Sequence, residues 1–339
     1  MAEIGIIVGV YNAGRYIRRC LESIAAQTFS DFEVVLVDDG STDDSGEICD
    51  DFCREDSRFH VIHQENRGPG ASRNTGLRWA FEQSSCRWIA IVDDDDYIHP
   101  LYLEALYRAA DQWGTDIAIT GYLRTDGEEL PAVPGWTSEK HETAGFYREN
   151  PVIASVLWGK LIRKTLFSGI FFPEDKIHED EFVIYRILFE RDCIAFVKEA
   201  LYAYFNNKDG IMLSEWTMGK LDLLEAWDQQ IVFFQEKGLY DIVKKKYWYL
   251  LQHTIYARLL VMESEGISGQ EKEREIRILK KRTGEMLAHP PKHAVLSPRQ
   301  YARLARLSMA VKAQMRRSRK NGAGEEKGSG RIRKYLRDI

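Results

Sequence analysis

The chain reads as a mostly parallel α/β sheet flanked by helices, followed by a helical C-terminal extension. Three observations predict this. Through the first 120 residues short apolar runs alternate with segments of helical periodicity, the connections have crossover length, and two of the apolar runs end in clusters of carboxylates. Strands joined through helices pair in parallel by right-handed crossovers, and ligands on such sheets sit beyond the carboxyl ends of the strands. Both acidic clusters fall there.

Ile4 to Val10 is the first strand, and Ala13 to Gln27 then places Tyr16, Ile17, Cys20, Leu21 and Ile24 on one helix face. Phe32 to Val37 is the second strand. Ser41-Thr42-Asp43 supplies N-cap chemistry for a helix running to about Arg54. Phe59 to His63, Ala71 to Phe81, Trp88 to Val92, Pro100 to Trp113 and Asp116 to Tyr122 continue the alternation. From Arg124 to about Asn150, Gly, Pro, Glu and Thr interrupt it, which predicts a mobile loop or small hairpin. Regular structure resumes with Val152 to Lys160, a helix from about Glu179 to Glu190, and strand-like pieces at Ile194 to Val197 and Leu201 to Phe205. Lys220 to Lys237 and Tyr240 to Glu263 carry aliphatic and aromatic residues at helical spacing, a packing stripe. These patterns divide the chain into an α/β domain over 1–210 (halves 1–122 and 123–210), a helical extension over 211–291 and a basic tail over 292–339.

With 339 residues and 44% hydrophobic content the chain can fill a substantial core. The net charge of −5 conceals an asymmetry, because from Lys292 onward fourteen Lys/Arg face three Asp/Glu. Five scattered cysteines, Cys20, Cys49, Cys53, Cys86 and Cys193, show neither paired spacing nor a nearby histidine pattern, which argues against disulfides and zinc. With no basic leader and no apolar run of spanning length, the expectation is a cytoplasmic protein. Two readings of the tail stand side by side: a solvated linker, or peripheral contact with an anionic inner membrane face in which Leu304, Leu307, Met309 and Val311 dip into the interface. The aromatic platforms of nucleic-acid binders are absent.

The chemistry concentrates at strand ends. Ile89 to Val92 delivers Asp93, Asp94, Asp95 and Asp96 to one point, where four anions repel unless a divalent cation and its phosphate ligands neutralise them. Phe32 to Val37 runs into Asp38 and Asp39, one able to cap the next helix and the other to accept from the edge of a base stacked on Tyr11. The glycine-rich loop Glu65 to Gly70 before a helix offers exposed amides, with Arg67 and Arg73 as candidate charges for a diphosphate. Neither a Gly-x-Gly-x-x-Gly nor a Walker loop follows any strand, which disfavours dinucleotide oxidoreductases and P-loop NTPases.

Val-Gly-Val-Tyr-Asn at 8–12, Val-Asp-Asp-Gly-Ser-Thr-Asp at 37–43, Ala-Ser-Arg-Asn-Thr-Gly-Leu at 71–77 and Val-Asp-Asp-Asp-Asp-Tyr-Ile at 92–98 resemble, in order and spacing, the inverting family 2 glycosyltransferases of bacterial polysaccharide synthesis. Trp158-Gly159-Lys160-Leu161 and His178-Glu179-Asp180-Glu181 look like that family's later motifs. The resemblance implies a GT-A type fold and transfer of a sugar, with inversion, from a nucleotide donor, UDP-linked by expectation, to a glycan or lipid-linked acceptor. It implies Tyr11 and Asp39 at the base, Asp93 at the ribose or the metal, Asp95 at a Mn²⁺ or Mg²⁺ ion, and Asp180 as the base that deprotonates the acceptor. Departures are Gly9 where proline is common, Asp94 where a small residue is common, and the absence of an Arg or His after Tyr204-Phe205, where Lys208 stands in as a diphosphate contact. Competing readings are a sugar nucleotidyltransferase and a binding protein that has lost catalysis.

Overall fold

A parallel strand covered by helices on both faces has no solvent side, so its sequence is apolar throughout. In β1 (Ile4–Val10) this holds for Ile4, Ile6, Ile7, Val8 and Val10, all buried. The computed structural model describes residues 2–207, 210, 217–264 and 267–321, the last five as backbone. After β1 come α1 (Ile17–Ala25), β2 (Phe32–Asp38), α2 (Ser45–Glu55), β3 (Phe59–His63), α3 (Pro69–Glu82) and β4 (Trp88–Ile91). These strands lie in the order β3-β2-β1-β4, every pairing parallel. Val10 pairs with Asp38 and Ile7 with Ile91, so Tyr11, Asp39 and the four-aspartate turn emerge at one edge.

The rest of the nine-stranded sheet is mixed. Following β5 (Tyr97–Ile98) and α4 (Tyr102–Trp113) come β6 (Ile117–Thr125), β7 (Ser138–Glu142), α5 (Thr143–Glu149), α6 (Pro151–Ser155), β8 (Lys160–Arg163), α7 (Ile184–Leu188) and β9 (Cys193–Phe205). β8 runs antiparallel between β4 and β6, β6 and β9 are parallel, and β5 and β7 pair antiparallel with β9. The two strand-like pieces at 194–205 are one strand interrupted by an irregularity opposite Thr120, Gly121 and Tyr122. Gly121 permits it, since a Cβ there would lie 2.9 Å from the Lys198 carbonyl oxygen. The interrupted stretch 124–150 is more ordered than its composition suggests: β6 extends through Thr125, and β7 and α5 occupy its second half. The helix expected from Glu179 is a 3-10 turn (Glu179–Phe182) followed by the short α7.

Two compact units divide the chain, Met1–Leu213 and Ser214–Ile339. In the second, α8 (Asp222–Glu236), α10 (Gly269–Ala288) and α11 (Pro298–Asn321) pack on α9 (Tyr240–Glu263), whose Leu250, Leu251, Ile255 and Leu259 are buried. This corrects the reading of the region beyond 292 as a tail that inserts apolar residues into a membrane interface. Leu304, Leu307 and Val311 are buried, and of the four residues only Met309 is exposed, because the apolar stripe of α11 is spent on α9. The basic segment around Arg331 to Arg337 lies outside the described residues. Among the described residues no helix is long and apolar enough to cross a membrane.

The seating of α3 on the sheet depends on Gly76, where a Cβ would come 2.4 Å from Ile7 Cγ2 in the middle of β1. Gly76→Ala is expected to lower stability by about 1–3 kcal/mol, the usual cost of overpacking a dense interior. Urea unfolding measures it, and a midpoint equal to that of the parent chain would show that the helix has room to shift.

Candidate active site

The acidic turn between β4 and β5 gives each carboxylate its own partner. Arg73 Nη2 on α3 lies 3.2 Å from Asp93 Oδ1, and the Tyr11 amide donates to Asp94 at 3.0 Å. Asn207 Nδ2 donates to Asp95 at 2.8 Å, while Asp96 accepts from the Tyr202 hydroxyl at 2.6 Å and the Phe205 amide at 2.8 Å. Asp94, expected to add charge at a metal, instead pins the end of β1. Behind the turn, Arg19 donates to the Asp95 carbonyl at 2.9 Å, its guanidinium lying over the rings of Tyr97 and Phe205.

Crowding leaves this turn short of positive charge. Burial, then repulsion from Asp93, pushes the Asp95 carboxyl up to about 6 against the pull of Asn207 and Arg19. Burial and neighbouring aspartates also raise Asp94 and Asp96 well above the usual carboxylate range. A divalent cation would relieve that strain. Among the described residues no three metal-binding side chains converge. A Mg²⁺-type ion fits nonetheless, because it takes one or two carboxylates and completes its shell with phosphate oxygens and water. Asp93 and Asp95 supply hard oxygen donors of that kind.

Across the edge, the β1 and β2 ends are laced together. Asn12, at φ 50°, accepts from the Thr42 amide at 2.8 Å, and Ser45 Oγ accepts from the Ala13 amide at 2.8 Å. Asp43 rather than Asp38 serves the start of α2, accepting from the Ser45 amide at 3.0 Å. Burial raises Asp38, but the Ser41 hydroxyl and amide and His63 outweigh it and hold the carboxyl below its ordinary range. Asp39, 2% exposed, accepts from Gln64 Nε2 at 2.7 Å, the Arg67 amide at 3.1 Å and the Gly68 amide at 2.7 Å. Three of the roughly four acceptor positions of a carboxylate are thus filled by Gln64 and the glycine-rich loop that follows it, leaving one for a base edge. Tyr11 is 49% exposed, so its side chain is accessible to a ligand.

Of the two expected cations, Arg67 is exposed and holds Glu174 at 3.3 Å, a loose surface pair. Arg73 is committed: besides Asp93 it pairs with Glu179, the residue before Asp180. It therefore joins the acidic turn to the 3-10 turn that carries the candidate base. Burial, then repulsion from Glu181, pushes the Asp180 carboxyl up to about 7, with Arg73 opposing. Lys160, 1% exposed, donates to the carbonyls of Ile153, Val156 and Trp158, holding the segment before β8. Burial lowers its ammonium to about 7, with Asp180 opposing. Lys208 lies outside the described residues. The sequence gives no sign of Asn207, Tyr202 or Arg19 at this site beyond the requirement of four adjacent carboxylates for partners from elsewhere.

Residues 5–171 match the family model described as "Glycosyl transferase family 2". "Glycosyltransferase GlyG" of Streptococcus pneumoniae serotype 4 is 33% identical over 253 residues, 71% of this chain and 80% of GlyG. Staphylococcus aureus TarS 1-349 in complex with UDP-GlcNAc aligns with TM-score 0.56 at 20% identity, covering 95% of this chain and 92% of that one. The mannosyltransferase PcManGT from Pyrobaculum calidifontis, in complex with GDP-Man and Mn²⁺, aligns with TM-score 0.51 at 15% identity, covering 93% and 82%. At such identities these two likenesses are likenesses of fold, the GT-A type.

Asp39→Ala is expected to weaken UDP binding and to speed amide exchange at Arg67 and Gly68, since removing a charged acceptor costs about 1.5–3 kcal/mol. Calorimetry with UDP and hydrogen exchange measure the two effects, and equal UDP affinity in both proteins would take Asp39 out of the site.

The acidic turn carries a pH signature. Because Asp95 titrates near 6 when folded and near 3.8 when unfolded, the folded state holds the extra proton between those values. Without divalent cations, stability should therefore fall as pH rises from about 4 through 6. Mn²⁺ should raise the melting temperature more at pH 7.5 than at pH 5, and Asp95→Asn should remove that difference; a pH-independent Mn²⁺ effect in the parent chain would place the ion elsewhere.

Proposed function

The chain belongs to glycosyl transferase family 2, and from that premise we propose that it is an inverting, metal-assisted transferase that moves a sugar from a nucleotide donor, UDP-linked by preference, to a hydroxyl of a glycan or lipid-linked acceptor. The observation that carries this reading is the placement of Arg73, which touches Asp93 of the acidic turn and Glu179 beside Asp180. One cation thereby holds the donor-binding carboxylate and the candidate base at neighbouring positions.

In this reading the base of the donor stacks on Tyr11 and its edge donates to the remaining acceptor position of Asp39. The Arg67 and Gly68 amides expected for the diphosphate are taken by Asp39, so the exposed Arg67 guanidinium is the group of this loop that meets it. A bound Mn²⁺ or Mg²⁺, held by Asp93 and Asp95, would supply charge stabilisation for the departing diphosphate. Asp180 accepts the proton of the acceptor hydroxyl. The hydroxyl oxygen forms its bond to the anomeric carbon from the face opposite the diphosphate, the bond from that carbon to the phosphate oxygen breaks, and the electron pair leaves with the diphosphate. Attack from the opposite face inverts the anomeric centre. A carboxyl that titrates near 7 suits this role, because a base works best when its own affinity for protons matches the operating pH.

Activity should accordingly rise with pH through about 7, since only the ionised Asp180 accepts a proton. Asp180→Asn is expected to lower turnover by roughly 10² to 10⁴ and to flatten that rise while leaving UDP affinity near the parent value. Rates of UDP release across pH 5.5–8.5 test this; a larger loss from Glu179→Gln than from Asp180→Asn would reassign the base.

A further inference from the structure

One face of the β6–β9 pair carries a group of side chains for which donor binding has no use. Tyr122 is paired with Tyr202, and Arg124 with Tyr204, so these four residues, two apart on neighbouring strands, share a face of the sheet. Trp158 lies flat on Tyr202, ring centroids 4.7 Å apart at 12°, and stacks on Tyr204 at 5.4 Å and 30°. Tyr122 meets Trp158 edge-on at 5.0 Å. The three carbonyls gripped by buried Lys160 include that of Trp158 itself, which fixes this ring against the strands. Trp158 and Tyr202 are buried, whereas Tyr122 and Tyr204 are partly open to solvent.

The platform borders the acidic turn. The Tyr202 hydroxyl donates to Asp96 and accepts from the Asp93 amide at 3.3 Å. Tyr204 is pushed up to about 12 by burial and then by the charges of Asp96, Asp93 and Asp95, so its hydroxyl stays protonated and can donate. Arg124 is exposed, with its guanidinium 5.5 Å from the Tyr204 ring centroid. Among the described residues it has no ion pair and no hydrogen bond. The nearby acids are engaged elsewhere: Glu128 accepts from the Thr125 hydroxyl at 2.5 Å and the Asp126 amide at 2.9 Å, and Asp126 accepts from Asn206 at 3.1 Å. With these acids bonded to other groups, the Arg124 guanidinium over the Tyr204 ring is left for a ligand.

We propose that Tyr122, Tyr204 and Arg124 form an acceptor subsite in which the sugar lies against the aromatic edge and the Arg124 guanidinium selects an acceptor bearing an anionic group, phosphate or carboxylate. The proposal rests on the transferase reading above. A sugar ring presents an apolar C–H face that aromatic rings bury, and a planar guanidinium pairs both classes of anion with two parallel hydrogen bonds. The acidic turn contributes the complementary constraint. Its charge repels an anionic acceptor from the donor pocket and favours the Arg124 side of the platform for the anion.

The test is calorimetric binding to the full-length chain preloaded with UDP and Mn²⁺, using α-D-glucose 1-phosphate, glucuronic acid and methyl α-D-glucoside as probes. The parent chain is expected to bind at least one anionic probe tenfold or more tightly than the neutral glucoside, and the preferred probe identifies phosphate or carboxylate as the group selected. Arg124→Ala should abolish that preference, and Arg124→Lys should restore only part of it. Equal affinity for all three probes in the parent chain, or an undiminished preference in Arg124→Ala, would overturn the proposal. UDP affinity, read in the loading step, separates the two levels: a chain that binds no UDP sinks the reading as a UDP-sugar transferase and this one with it, whereas a chain that binds UDP without discriminating the probes sinks only this one.

Discussion

Everything at this sheet edge follows from the need to keep four adjacent carboxylates in a half-buried turn. Each takes a partner from a different part of the chain: Asp93 from α3, Asp94 from the end of β1, Asp95 from the residues after β9, and Asp96 from β9 itself. A buried polar group without a partner costs about 1–3 kcal/mol, so these contacts cannot be dropped singly at no cost. The turn is therefore a junction. Meeting its electrostatic demand ties the parallel half of the sheet to the mixed half.

The two halves do this with different physics. The parallel half positions its groups through backbone register and short side chains: Asn12, Ser45, Asp43 and Asp39 all accept from backbone amides of the turns and helix starts at this edge. The result is a rigid cradle of fixed dipoles. On the mixed side, large side chains carry the load. Lys160 grips three carbonyls, Trp158 lies on Tyr202 and Tyr204, and Arg73 spans from Asp93 to Glu179. The first arrangement suits a ligand that does not vary, and the second suits one that does, because side chains can be exchanged without disturbing a strand.

This division also explains what could be read from the amino-acid order. Runs such as Ile4 to Val10 and Phe32 to Val37 are legible because a doubly covered parallel strand must be apolar at every position, and the acidic turns stand out against them. Asp39, Asp93 and Asp95 were legible as charges at the ends of apolar strands, whereas Asp180 was singled out only by the family resemblance. Their partners were not. Asn207 lies 112 positions from Asp95 and Tyr202 lies 106 from Asp96, and no local pattern announces a contact over such distances. The periodicity of 301–319 was legible too, but it could not say whether the apolar stripe meets lipid or α9; burial of Leu304, Leu307 and Val311 decides for α9. In the 124–150 stretch, composition left a mobile loop or a small hairpin open, and the strand there, β7, takes its hydrogen bonds from the distant β9, which local propensity could not indicate.

The two titrations near neutrality, Asp95 near 6 and Asp180 near 7, have a common origin and opposite consequences. Both carboxyls are raised first by burial and then by neighbouring acids, which destabilises the ionised form of each. At Asp95 the ionised form would be recovered by a cation, so the strain becomes affinity for a metal-bound donor. At Asp180 taking up a proton relieves the same strain, which is the property the proposed role of base toward an acceptor hydroxyl requires. Arg73 lies between them and cannot neutralise both fully, since one guanidinium already divides itself between Asp93 and Glu179. Excess negative charge at this edge therefore disposes Asp95 toward a cation and Asp180 toward a proton alike.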